Sequence, residues 1–71
     1  MGKYVDETVA RKAHDEGKLI GKTEPTRETK GTWWQVYECP DGKIVACVMS
    51  DGGVSCGEEI ERDKVSEYSD E

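Results

Sequence analysis

"GTWWQVYECPDGKIVACVM", Gly31 to Met49, carries two apolar runs around a single turn signal. Asp41-Gly42 between such runs marks a β-hairpin, because both residues tolerate the left-handed backbone of a tight turn. With Asp41 and Gly42 as a two-residue turn, Ile44 pairs with Cys39, Ala46 with Tyr37 and Val48 with Gln35. Val45 then pairs with Glu38, Cys47 with Val36 and Met49 with Trp34. Successive strand residues point to opposite faces, so the neighbours Trp33 and Trp34 separate. Directly opposed residues share a face. One face therefore carries Trp34, Val36, Val45, Cys47 and Met49, and the other carries Trp33, Gln35, Tyr37, Cys39, Ile44, Ala46 and Val48.

Downstream, "SDGGV" signals a second turn and a third strand from Val54. A two-residue turn there pairs Val54 with Met49 and Cys56 with Cys47, which adds Val54, Cys56 and Ile60 to the Trp34 face. Upstream, Val5, Val9 and Ala13 recur at four-residue spacing with Ala10 beside them, the stripe of an amphipathic helix over Val5 to Glu16. Asp6 is placed to cap its N-terminus. Gly17 is expected as a left-handed terminator, with Leu19 and Ile20 folding back onto the last turn. Gly21 to Gly31 contains Pro25, threonines and charges of both signs, and reads as a loop. The expected architecture is α+β: an N-terminal helix packed on a three-stranded antiparallel β-meander, one domain over residues 1–60. Residues 61–71 form an acidic C-terminal tail, either disordered or a short helix with Val65 and Tyr68 at i, i+3.

The chain has 71 residues, which bounds this to one small domain. Domains of this size bury only roughly 60% of their unfolded surface. With 34% hydrophobic and 37% charged residues, apolar side chains that miss the core carry information. The longest apolar run, Ile44 to Met49, is far shorter than the about 20 residues needed to cross a bilayer. Gly2 lacks the Ser or Thr that myristoylation requires, since Asp6 stands there. A cytoplasmic protein with no membrane partner is expected. The three cysteines, Cys39, Cys47 and Cys56, are odd in number and lack C-x-x-C spacing, so they read as small buried hydrophobes. A zinc site would have to recruit His14 from the helix, and no metal or cofactor is expected.

Net charge is −6, and the segment from Glu58 onward contributes −5 of it. An enzyme is not expected. His14 lies on a helix flank, no Ser or Cys has a base nearby in sequence, and the carboxylates form no evident acid/base pair. The glycines of "DGGVSCG" open no clear helix, so they form no phosphate cradle. On the hairpin's second face only Gln35 is clearly polar, whereas a solvated sheet face normally alternates polar residues outward. That face calls for cover from Leu19 and Ile20, from Val65 and Tyr68, or from another molecule.

The expected function is a small non-catalytic protein-binding module, an inhibitor or adaptor acting on a larger complex. Its contact set is Trp33, Gln35, Tyr37, Ile44 and Val48 on the sheet, with Glu58, Glu59, Glu61 and Asp63 meeting a basic surface. In size, acidity and lack of catalytic apparatus the chain resembles the small inhibitors encoded by phages and mobile elements, anti-CRISPR proteins among them. That likeness is of class alone, since no stretch matches a family motif. It implies a nucleic-acid-handling complex as target. The alternatives are a single-stranded nucleic-acid binder stacking bases on Trp33 and Tyr37, which the negative charge opposes, and a self-associating protein that covers the face in a homodimer.

Overall fold

The computed structural model describes residues 3–23, 31–51 and 53–69. The chain is α+β, with a five-stranded antiparallel sheet and, among the described residues, one α-helix. Strands β1 (Lys3–Val5), β2 (Lys18–Lys22), β3 (Trp33–Glu38), β4 (Ile44–Ser50) and β5 (Gly53–Ile60) lie in the order β1-β5-β4-β3-β2. Helix α1 (Glu7–Glu16) connects the two edge strands across one sheet face. A 3₁₀ helix, Arg62–Tyr68, packs against the opposite face and is called the strap below. The expected three-stranded meander is thus the centre of a larger sheet. Gly21 and Lys22, expected in a loop, belong to edge strand β2. Residues 24–30 of that loop, with Gly2, Gly52, Asp70 and Glu71, lie outside the described residues.

Asp6 ends β1 and caps α1, its Oδ1 accepting from the Val9 N–H at 3.0 Å. The helix therefore starts later than expected, and Val5 is a strand residue. Ala10 and Ala13 form the buried stripe, while Val9 is 46% exposed. Small residues let the helix sit close enough for the Cys47 thiol to donate to the Ala10 carbonyl at 3.4 Å. Gly17 is not left-handed, with φ −86°. A Cβ there would stand 2.5 Å from the Ala13 oxygen and 3.0 Å from Tyr37 Cβ, so glycine is required for close approach. Leu19 and Ile20 run on into β2 and do not fold back onto the helix.

The β3–β4 register differs from expectation by one residue. Trp33 faces Met49, Trp34 faces Val48, Gln35 faces Cys47, Val36 faces Ala46 and Tyr37 faces Val45. The cause is a three-residue loop. Gly42 N–H donates to the Cys39 oxygen at 2.9 Å, Cys39 N–H donates to the Lys43 oxygen at 2.8 Å, and Gly42 has φ +91°. A two-residue turn would have made Pro40 the ladder partner of Lys43, but proline has no N–H to give. Its fixed φ instead suits the first corner of the longer loop.

This shift redistributes the faces. Trp33, Gln35, Tyr37 and Cys39 join Val45, Cys47, Met49 and Val54 under α1. Trp34, Val36, Ile44, Ala46 and Ile60 form a second cluster with Ile20, Val65 and Tyr68 from β2 and the strap. Val54 faces Met49 as expected, but an irregularity beside Val48 moves Cys56 opposite Val48 and places Gly57 opposite Cys47. Cys47 and Cys56 consequently lie on different faces and are not cross-strand neighbours. The sheet is therefore covered on both sides, by α1 on one and by the strap on part of the other.

Candidate functional site

The residues expected to form one contact face do not share a face. Under α1, Tyr37 is only 7% exposed. Its hydroxyl donates to Gln35 Oε1 at 2.7 Å, and its ring meets His14 edge-on at 5.3 Å between centroids. Trp33 is half-buried and packs against the same cluster. Glu59 lies on this side too, opposite Val45 and Lys3. On the other face, Ile44 is 4% exposed and lies in the second cluster, directly opposite Ile60. Val48 is half-buried there, and Glu58 accepts a hydrogen bond from the Tyr68 hydroxyl at 3.2 Å. Glu61 and Asp63 are exposed at the start of the strap. Tyr37 and Ile44 are core residues, so neither stands out as an anchor in the folded chain.

The open apolar surface is elsewhere. Trp34, Val48 and Cys56 form one row across β3, β4 and β5, each opposed to the next and each half-buried. Tyr4 in β1 pairs with Glu58 and stands diagonal to Cys56 on the same face, within the reach of an aromatic side chain. It is 70% exposed, the most exposed of the large hydrophobic residues among those described. The strap ends beside this row, with the Tyr68 ring edge-on to Trp34 at 4.8 Å and 82°. Sequence reading gave Tyr4 no role, because the helix was expected to begin at Val5. The signal was present: Tyr4-Val5 are strand-formers immediately ahead of a capping Asp6.

A concavity lies between α1 and the β3–β4 loop. It has a volume of about 460 Å³ and an apolar lining that includes Val9, Ala13, Cys39, Pro40 and Val45. Its charged lining mixes Lys12 and Lys43 with Glu16, Asp41 and Glu59, so it presents no net field of one sign.

The thiols of Cys39 and Cys47 are poorly suited to nucleophilic work. Burial, with smaller contributions from Cys39 and Cys56, pushes the Cys47 thiol up to about 11. Burial also raises Cys39, aided by Asp41 and Glu16 and only partly opposed by Lys43. A thiol held above its ordinary value stays protonated at neutral pH and is a weak nucleophile. All three cysteines are unpaired. Among the described residues no group of three or more His, Cys, Asp or Glu side chains is placed to hold a metal. No helix among them is long and apolar enough to cross a membrane.

Comparison with protein families, with curated proteins and with solved structures finds no match.

Proposed function

We propose that this chain is a small non-catalytic protein-binding module, an inhibitor or adaptor that acts on a larger protein complex in the cytoplasm. The observation that carries the reading is the exposed Tyr4 beside the half-buried row Trp34–Val48–Cys56, which the strap meets only at its Trp34 end. Covering a tyrosine and its apolar neighbours removes on the order of 200 Å² from water, about 5 kcal/mol before the costs of association. Aromatic residues with partly hidden aliphatic neighbours are the usual makings of an interface anchor. Glu58 at its border and the acidic strap region favour a partner with basic groups around an apolar contact. A nucleic-acid-handling complex of the kind phage inhibitors block is such a partner. Base stacking on Trp33 and Tyr37 gains no support, because Tyr37 is buried with its hydroxyl held by Gln35.

The test is a photo-crosslinking side chain placed at position 4 and, separately, at the exposed Lys12 on the α1 side, in the native host. The proposal expects a discrete heavier adduct from position 4 that Val48→Lys suppresses, and none from position 12. No adduct from position 4 refutes it.

A further inference from the structure

Two carboxylates of the sheet lie on the face that carries the strap, and their surroundings differ. Glu38 meets the Arg62 guanidinium and has Lys18 opposite it across the β2–β3 pair. Glu58, in β5, has Tyr4 opposite it on β1 and the small Ala46 opposite it on β4. Tyr68 packs on the cluster that contains Ala46, and its hydroxyl donates to Glu58 Oε2 at 3.2 Å. Among the described residues no cation lies within ion-pair distance of Glu58. This half-buried carboxylate therefore has a neutral phenol as its partner and no counter-charge. Charges attract more strongly where water is partly excluded, so a cation gains more at Glu58 than at a fully exposed acid.

The groups beside Glu58 suit a flat cation. Directly opposed residues of an antiparallel pair stand about 5 Å apart at Cβ, so the Tyr4 side chain rises next to that of Glu58. Tyr4 is exposed, while Tyr68 is half-buried and held edge-on to Trp34 at 4.8 Å. The carboxylate is thus flanked by two tyrosines, with the half-buried Val48 and Cys56 alongside. The other acid near Tyr68, Glu67, is already paired with Lys64 at 3.5 Å. A cation within about 6 Å of a ring centroid is drawn to the ring face as well as to the carboxylate. An ammonium is compact and strongly hydrated. A guanidinium is planar and weakly hydrated, and it can lie along a ring while giving two N–H groups to a carboxylate.

We infer that Glu58, flanked by Tyr4 and Tyr68, seats an arginine side chain of the partner protein. This rests on the reading of the chain as a protein-binding module and names the group it takes at that surface. The guanidinium stacks on the Tyr4 ring and donates to Glu58, and the aliphatic stem of the arginine lies along Cys56 and Val48. The strap stays in place, because Tyr68 is one wall of the seat.

The experiment uses the full chain and capped glycine–X–glycine peptides in which X is arginine, lysine or citrulline. Citrulline keeps the shape and planar head of arginine without its charge. In two-dimensional NMR the arginine peptide should move the signals of Tyr4, Cys56 and Glu58 saturably, with a dissociation constant in the millimolar range. Citrulline should bind at least about tenfold more weakly, because a charge-assisted hydrogen bond and the attraction to the ring are lost together. Lysine should fall between them. Glu58→Gln keeps an acceptor for Tyr68, and should bring arginine down to the citrulline level. Tyr4→Leu keeps apolar bulk on β1, and should weaken arginine severalfold while changing citrulline little. Arginine and citrulline peptides that bind alike overturn the inference, as does a lysine peptide that binds as tightly as arginine. Shifts at the exposed Asp63 as large as those at Glu58 also overturn it, because they would mark unspecific attraction to acids. The peptide comparison on the parent chain holds whether or not either variant folds. The assay needs no natural partner, so its failure is separable from failure of the position 4 crosslink.

Discussion

Replacing Gly57 with alanine should be among the most damaging single-methyl changes in the molecule. Gly57 lies in β5 between Val5 of β1 and Cys47 of β4, where α1 crosses the sheet. A Cβ added there stands 2.4 Å from the Ala46 oxygen, and 3.2 Å from both Ala46 C and Cys47 Cα. Ordinary contact begins near 3.4 Å, so β4 and β5 must part by about 1 Å at a point where no side chain can rotate away. Overpacking of this kind costs roughly 1–3 kcal/mol, and backbone neighbours place it toward the upper end. A chain of 71 residues has about 4–11 kcal/mol of stability in all. At about 4–8 °C per kcal/mol for a domain of this size, the melting temperature should fall by roughly 8–24 °C. Thermal melts followed by circular dichroism read this directly. Gly42→Ala is the comparison: nothing lies within 4 Å of its added methyl, but its φ of +91° costs about 1–2 kcal/mol. If Gly57→Ala melted within a degree or two of the parent, the close β4–β5 approach described here would be wrong.

Cys47 makes stability sensitive to alkali. Its folded value of about 11 lies above the ordinary 9.0, so its contribution is complete below pH 9.0 and is lost as pH rises through about 11. Tyr37 and Tyr68, raised chiefly by burial above 10.0, act in the same direction. Urea midpoints should fall over this window, and less steeply in Cys47→Ala; an unchanged slope in that variant would contradict the assignment. At pH 8, thiol labelling of the native chain should reach the half-buried Cys39 and Cys56 first and Cys47 only on unfolding. Equal labelling rates would contradict the buried placement of Cys47. Replacing Pro40-Asp41-Gly42 by the two residues Asn-Gly leaves Cys39 opposite Lys43, so the register and cooperative melting should both persist. Loss of cooperative melting would contradict the Cys39–Lys43 pairing that closes the loop.

Local chemistry made the middle of this fold readable. Asp6 as helix cap and the Met49–Val54 pair across the second turn follow from side-chain chemistry over a few residues. The edge strands were hidden because Lys3–Val5 and Lys18–Lys22 are too short to show a strand alternation and become strands by hydrogen bonding to β5 and β3. Pro40 did carry the register, as the residue that cannot serve as a ladder partner, but Asp41-Gly42 signalled a shorter turn more strongly. The displacement of Cys56 from Cys47 rests on one extra residue at Ser55, which no local pattern announces. These two one-residue effects explain why the expected contact set divides between two faces. The Arg62–Val65–Tyr68 spacing was visible only in part. Val65 and Tyr68 stood out as apolar, whereas Arg62 gains meaning only once Glu38 is known to lie opposite it.

The most direct test of the claim that the Tyr4 and Val48 surface is kept for a different protein is the mass in solution. Light scattering on a size-exclusion column, over a concentration series, should give a monomer of 7.9 kDa for the parent chain and for Val48→Lys alike. A stable species of twice that mass in the parent, reduced to monomer by Val48→Lys, would show that the chain covers this face with a second copy of itself and would contradict the account.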